Sequence, residues 1–329
     1  MSLRKVLVFI WLSLLLIAGC GCSLQSASSV DAEKPVRIGI MLSDAGLGDQ
    51  SFSDAGFKGL EEARDELNIS FDYREIKDAK TYEKRLEELV NQGNDVVIGL
   101  GFSMQEAIET VAKKFPDQTF LLIDSESELP NVHSVTFKEE EGSYLIGVIA
   151  GMKTKSHVVG FVGGVDVPLI RKFEKGFTEG VKKVNPKAKV ISTFAGSFDD
   201  DKKGMQIAKY MIKQKADYIY PAAGFTGVGV LNEAQKSGIY TFGVDSDQFY
   251  LAEKAVVTSM LKRVDVAVYN IAKELVKTGK LSEKKTQLGI KEEGIDTAPI
   301  RVITLTSAET DKLNEFRRHI SEGTIQIQP

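Results

Sequence analysis

The sequence predicts an α/β fold of two doubly wound parallel-sheet lobes joined by a hinge. Strand-like segments alternate with amphipathic helices along the chain, the pattern of parallel sheets covered on both faces. The second half also repeats the plan of the first. Strand-like IGIML (38–42) leads through a Gly-rich loop to a helix carrying Gly56-Phe57, and VVGFVGG (158–164) leads to a helix carrying Gly176-Phe177, so 176 − 56 = 120. VVIGLG (96–101) follows Asp95 and YIYPAAG (218–224) follows Asp217, so 217 − 95 = 122. TFLLID ends on Asp124 and YTFGVD on Asp245, so 245 − 124 = 121. Three landmarks at nearly one spacing indicate two similar lobes, and two lobes enclose a cleft.

Arg4 and Lys5 precede an apolar stretch over 6–19 that is too short to span a bilayer and has the form of a signal peptide, assigned to 1–19. The stretch closes on LIAGC, and small residues before Cys20 fit a lipoprotein signal peptidase site, with Cys20 as the lipidated residue. Cys22 is the poorer match. Residues 20–35 are Ser/Ala-rich and polar, a flexible tether from lipid to domain. The expected location is the extracytoplasmic face of the cell membrane, anchored without spanning it. No cysteine follows Cys22, so no disulfide staples the lobes.

In the first lobe, a helix over 54–67 places Phe57, Leu60, Ala63 and Leu67 on one face. A second, over 81–92, buries Tyr82, Leu86, Leu89 and Val90 and stops at Gly93; a third, over 104–114, ends before Phe115-Pro116. Helices over 173–184, 203–214 and 229–237 replay this set in the second lobe. A helix over 137–152 carries the chain across, a segment over 257–263 carries it back to a helix over 265–278, and 288–303 returns it to a terminal helix over 307–320. Lobe 1 is therefore 36–136 plus about 258–285, and lobe 2 is 137–257 plus about 286–329. Three crossings make a hinge about which the lobes would close as rigid bodies.

With 42 Lys and Arg against 46 Asp and Glu, the net charge is −4, or −4 − 2 = −6 once Arg4 and Lys5 are removed. That gives no basic footprint for nucleic acid. Lysines interspersed with acids, as in KKFPD, KEEEG and KQKAD, read as solvated surface. His133, His157 and His319 lack metal-ligand spacing, and neither a G-x-S-x-G elbow nor a P-loop occurs. The glycines from Gly224 to Gly229 run G-x-x-G-x-G, the wrong order for a dinucleotide loop. The expectation is a non-enzyme without cofactor or metal.

Open parallel sheets bind ligands outside the carboxyl ends of their strands. Asp44, Asp124 and Asp245 lie at such ends, where a carboxylate can accept paired bonds from a polyhydroxylated ligand or cap a helix. Phe52, Phe102, Phe198 and Phe225 lie in neighbouring loops, where flat rings can sandwich a sugar face or base, or pack the lobes together. Lys262 lies in the expected hinge, as a ligand donor or as a solvated lysine.

These loops resemble those of the basic membrane protein family of substrate-binding lipoproteins, which includes the purine nucleoside receptor of ABC importers. The carriers are SDAGLGDQSF (43–52), FKEEEGSY (137–144), GGVDVPLIRKFE (163–174), AAGFTG (222–227), GVDSDQ (243–248) and TSMLKRVD (258–265). The resemblance implies a type I periplasmic-binding-protein fold and a nucleoside whose base stacks between Phe52 and Phe198. It further implies ribose hydroxyls on Asp245 and Lys262, the base edge on Asp44 and Asp124, and the Gly224 loop beside the ligand. A monomer delivering its ligand to an ABC permease follows. The first loop departs from the family's D-x-G-x-x-x-D-K-S-F-N: it is one residue shorter, with Gln50 and Ser53 at the Lys and Asn positions. A regulatory or sensory lipoprotein on the same fold is the alternative reading, and a hydrolase using the cleft carboxylates a remote one.

Overall fold

The structure is a computed structural model that describes residues 34–76 and 81–327. The expected signal peptide, Cys20 and nearly all of the tether lie outside the described residues. The duplicated spacing is realised as two six-stranded sheets of matching order. Lobe 1 takes β1 (Val36–Met41), α1 (Phe52–Glu66), β2 (Ile69–Arg74), α2 (Tyr82–Asn91), β3 (Val96–Leu100), α3 (Gln105–Lys114), β4 (Thr119–Ile123) and β5 (Val132–Phe137). Lobe 2 begins with α4 (Glu139–Lys153) and continues through β6 (Val158–Gly163), α5 (Pro168–Val184), β7 (Lys189–Phe194), α6 (Asp201–Lys213), β8 (Tyr218–Ala222), α7 (Phe225–Ser237), β9 (Tyr240–Asp245) and β10 (Val256–Lys262). The remainder is α8 (Val264–Thr278), β11 (Lys285–Leu288), β12 (Ile295–Thr297) and α9 (Ser307–Ser321). The sheets run β11-β5-β4-β3-β1-β2 and β12-β10-β9-β8-β6-β7, parallel throughout except that β12 opposes β10.

Each half of the chain lends the helix after its fifth strand to the other lobe. After β5 the chain crosses and α4 packs against α5; after β10 it crosses back and α8 packs against α1. The third crossing lies between Leu288 and Ile295. The crossings are tied together: Lys138 N–H donates to the Leu288 carbonyl at 2.9 Å, and Arg263 N–H to the Gly294 carbonyl at 2.9 Å.

Three expected lobe boundaries move. Residues 258–262, assigned to lobe 1, belong to β10, whose Ser259, Met260 and Leu261 pair with β9 in lobe 2, so the crossing falls at Arg263. Residues 286–288, assigned to lobe 2, pair with β5 in lobe 1. Phe137 likewise ends a strand, and the crossing helix begins at Glu139. A run of residues in register with a neighbouring strand satisfies its backbone groups in the ladder, and neither β10 nor β11 alternates clearly enough to show this in sequence.

The swapped helix α4 is buried nearly all round, with 12 of its 15 residues out of solvent. Glycines let it approach α5 at backbone distance. A Cβ on Gly147 would lie 2.1 Å from the Phe177 carbonyl oxygen, and one on Gly180 2.1 Å from that of Tyr144. The repeated landmark Gly176 is one of this set, since its Cβ would lie 2.3 Å from the Glu140 oxygen. Alanine favours a helix over glycine by up to about 1 kcal/mol. Gly147→Ala is nevertheless expected to destabilise the protein by roughly 1–3 kcal/mol through overpacking. Urea denaturation checks this, and a variant as stable as the parent would contradict the close crossing.

Candidate functional site: an interlobe cavity around Lys262

The carboxyl ends of the two sheets face each other across a cavity of about 650 Å³, counting its mouth. Asp44, Phe52 and Asp124 line it from lobe 1, and Phe198, Gly224, Asp245 and Lys262 line it from lobe 2. The seven residues that the resemblance assigns to the ligand therefore meet in one place. Phe102 joins them, with its ring 6.4 Å from that of Phe198 in an edge-on contact between lobes. Phe225 does not line the cavity; it begins α7.

Equivalent backbone features aim the two strand-end aspartates. Asp124 follows β4 and Asp245 ends β9, the same position in the two sheets. Both have left-handed backbone, φ 68° and 64°. Aspartate tolerates that region better than most side chains, and such strain gathers at functional sites. Gly224 sits at φ 54°, ψ −136°, which only glycine adopts readily, and a Cβ there would lie 3.2 Å from the Phe198 carbonyl oxygen.

Lys262 is the centre of the charge arrangement. It ends β10 and is only 2% exposed, so the solvated reading does not hold. Its Nζ donates to Asp124 Oδ2 at 2.5 Å and lies 3.1 Å from Glu139 Oε1. The rings of Phe52, Phe137 and Phe173 surround it at 5.0, 5.1 and 5.8 Å from their centroids. Burial alone would lower the lysine pKa, but Asp124, Glu139 and Asp245 outweigh it and hold the ammonium charged. Burial pushes Asp124 up to about 6, with Lys262 pulling down and Glu139 pushing up. Asp245 is raised by burial too, against the pull of Lys262 and a bond from Ser51 Oγ. Asp124, Glu139 and Asp245 converge on Lys262 while Lys172 also faces Glu139, so three carboxylates meet two ammonium groups and buried acceptors remain in excess. Asp124 Oδ1 is buried with no hydrogen-bond partner among the described residues.

None of the three strand-end aspartates caps a helix. That work falls to Asp49, whose carboxylate accepts from the N–H groups of Ser51, Ser53 and Asp54 at 2.9, 2.7 and 3.2 Å and fixes the start of α1. Burial still raises Asp49 to about 6. Ser53, at the family's Asn position, is fully buried and its Oγ lies 2.6 Å from Ser43 Oγ. Asp44 lines the cavity, and partial burial raises its pKa.

Sequence reasoning missed Glu139. The run of acids at 139–141 read as solvated surface, yet Glu139 is 0% exposed and Glu140 is buried as well. Glu139 lies between two lysines, with Lys172 Nζ 3.6 Å from its other oxygen. Its place two residues after a buried strand was the available signal. Leu169, Ile170 and Phe173, from the first turns of α5, were missed because they carry no polar mark.

An aromatic and carboxylate-lined cleft between two hinged sheets defines a two-lobed solute-binding protein. The chain belongs to the Bmp family, described as ABC transporter substrate-binding protein PnrA-like, whose model matches residues 37–328. Its relatives include the ABC transporter nucleoside-binding protein BmpA of Lactococcus lactis, 31% identical over 96% of this chain and 95% of that one. An uncharacterised lipoprotein of Pyrococcus horikoshii is 33% identical over 92% of this chain and 79% of its own length. An ABC transporter solute-binding protein of Aeropyrum pernix superposes with a TM-score of 0.81 at 26% identity, covering 89% of this chain and 93% of that one. The chain is thus a solute-binding protein of an ABC transport system, with a solute and a transporter as partners. No helix among the described residues is long and apolar enough to cross a membrane.

The excess of buried acceptors has a measurable sign. Lys262→Met would leave carboxylates without their cation, a defect of about 3–5 kcal/mol near pH 8. Asp124 and Asp245, already raised by burial, would then hold protons in the folded state that the unfolded chain releases. Stability would fall as pH rises, so the deficit should shrink at pH 5. Thermal melts at both pH values check this, and an equal deficit at each would contradict the arrangement.

Proposed function

We propose that this protein is a lipid-anchored receptor on the outer face of the cell membrane that closes its two lobes on a nucleoside, most naturally a purine nucleoside, and passes it to an ABC importer. One observation carries the reading: a single cavity offers an aromatic wall from each lobe, Phe52 and Phe198, beside a buried cluster of carboxylates around Lys262. In this reading a flat base stacks between the rings and ribose hydroxyls donate to Asp245 while accepting from Lys262. Asp44 and Asp124 take N–H groups of the base edge, and the Gly224 loop passes close beside the ligand. A neutral ligand rich in donors suits a site with spare acceptors. The name of the Lactococcus relative supports the same class.

A thermal-shift screen of nucleosides, free bases and sugars tests the proposal, since a ligand that binds only the folded state raises the melting temperature. Purine nucleosides should stabilise strongly, with free bases and ribose well behind. Calorimetry on Phe198→Ala should show a loss of roughly 1–3 kcal/mol, by analogy with base stacking on aromatics. A parent protein that ignores every nucleoside would refute the ligand class, and an unchanged affinity in Phe198→Ala would refute the stacking.

LIAGC at 16–20 supports the anchor. Cys20→Ala should therefore abolish metabolic labelling with palmitate and leave precursor or released protein. Retained label would move the acceptor to Cys22.

A further inference from the structure

The loop between β1 and α1 also joins the lobes outside the cavity. Gln50 has left-handed backbone at φ 57°, a conformation uncommon for a residue with a side chain. Its carbonyl accepts from Gln248 Nε2 at 2.9 Å and Ser246 Oγ at 3.3 Å, both on lobe 2. Its side-chain Oε1 accepts from the hydroxyl of Tyr250 at 2.6 Å. The next residue, Ser51, donates its hydroxyl to Asp245. Both ends of this contact are braced. On lobe 1, Asp54 accepts from the N–H groups of Gly48 and Gln50 at 2.7 and 3.0 Å. On lobe 2, Gln248 Oε1 accepts from Val244 N–H at 2.9 Å and Gln248 N–H donates to Ser259 Oγ at 3.0 Å.

None of Gln50, Ser246, Gln248 and Tyr250 lines the cavity. Their bonds can form only while the lobes are together, yet they need no ligand. We propose that these four residues form a latch that stabilises the closed arrangement, with Gln50 as the positioning residue that sets how slowly a captured solute leaves. The latch rests on solute capture in the cleft and not on the ligand being a nucleoside. It also ties release to recognition. Holding Gln50 against lobe 2 keeps its neighbour Ser51 on Asp245, next to Phe52, which lines the cavity. A bond present only in the closed state slows opening, the step that precedes release, and leaves capture by the open state unchanged.

Two variants separate the latch from the site. Tyr250→Phe removes one hydroxyl at a half-exposed position. Gln50→Gly removes the side-chain acceptor while easing the left-handed backbone, so it should not unfold the loop. The fluorescent nucleoside 2-aminopurine riboside serves as probe in stopped-flow measurements. Each variant should release it roughly fivefold faster, the effect of one ordinary hydrogen bond, with an association rate within about twofold of the parent. Small-angle scattering without any ligand gives a second readout, in which both variants should have a larger radius of gyration than the parent. Unchanged release in both variants would overturn the latch. If the probe fails to bind, the nucleoside reading falls, and the scattering comparison alone decides the latch: equal radii would overturn it.

Discussion

The buried ammonium of Lys262, bonded to Asp124, beside Glu139 and in the field of Asp245, is the constraint on which the site depends. Lys262 arrives from β10 of lobe 2, Asp124 from β4 of lobe 1, and Glu139 from the first turn of the helix that crosses between them. A buried charge costs several kcal/mol unless it is compensated, so these elements are not free to drift apart while the cleft is closed. The compensation is also incomplete, because acceptors outnumber donors. On the proposed reading, that imbalance suits the cleft to receive hydroxyl and N–H groups of a solute.

The fold delivers these groups through duplication and exchange. Two copies of one sheet plan put equivalent strand ends face to face, and the aspartates after β4 and β9 share the same left-handed backbone. Each copy then gives the helix after its fifth strand to the other lobe. The exchange threads the chain three times between lobes and places Glu139 beside Lys262. Glycines on α5 permit the close crossing that this demands. Packing far from the cavity and charge within it are thus parts of one construction.

Much of this was legible in sequence. Strand ends carrying Asp124 and Asp245 stood out because parallel strands end in open loops and the spacing repeated. Phe52 and Phe198 stood out because aromatics in such loops lack a core to join. What stayed hidden depended on contacts between distant segments. β10 and β11 reveal their lobe only through register with β9 and β5. Glu139 looked like one acid in a solvated run, since nothing local says that a helix beginning at 139 is swapped into the interior. Gln50 stood out as a departure from the family's loop, but its reach to Tyr250 spans 200 positions of sequence.

Capture by closure joins these observations. The aromatic walls come from different lobes, the acceptors cluster where the lobes meet, and the three crossings are hydrogen-bonded to one another. Solution scattering with a saturating purine nucleoside tests this most directly. Ligand contacts on both lobes favour the closed state, so the radius of gyration should shrink on binding. A nucleoside that binds tightly with no change in radius would contradict the account.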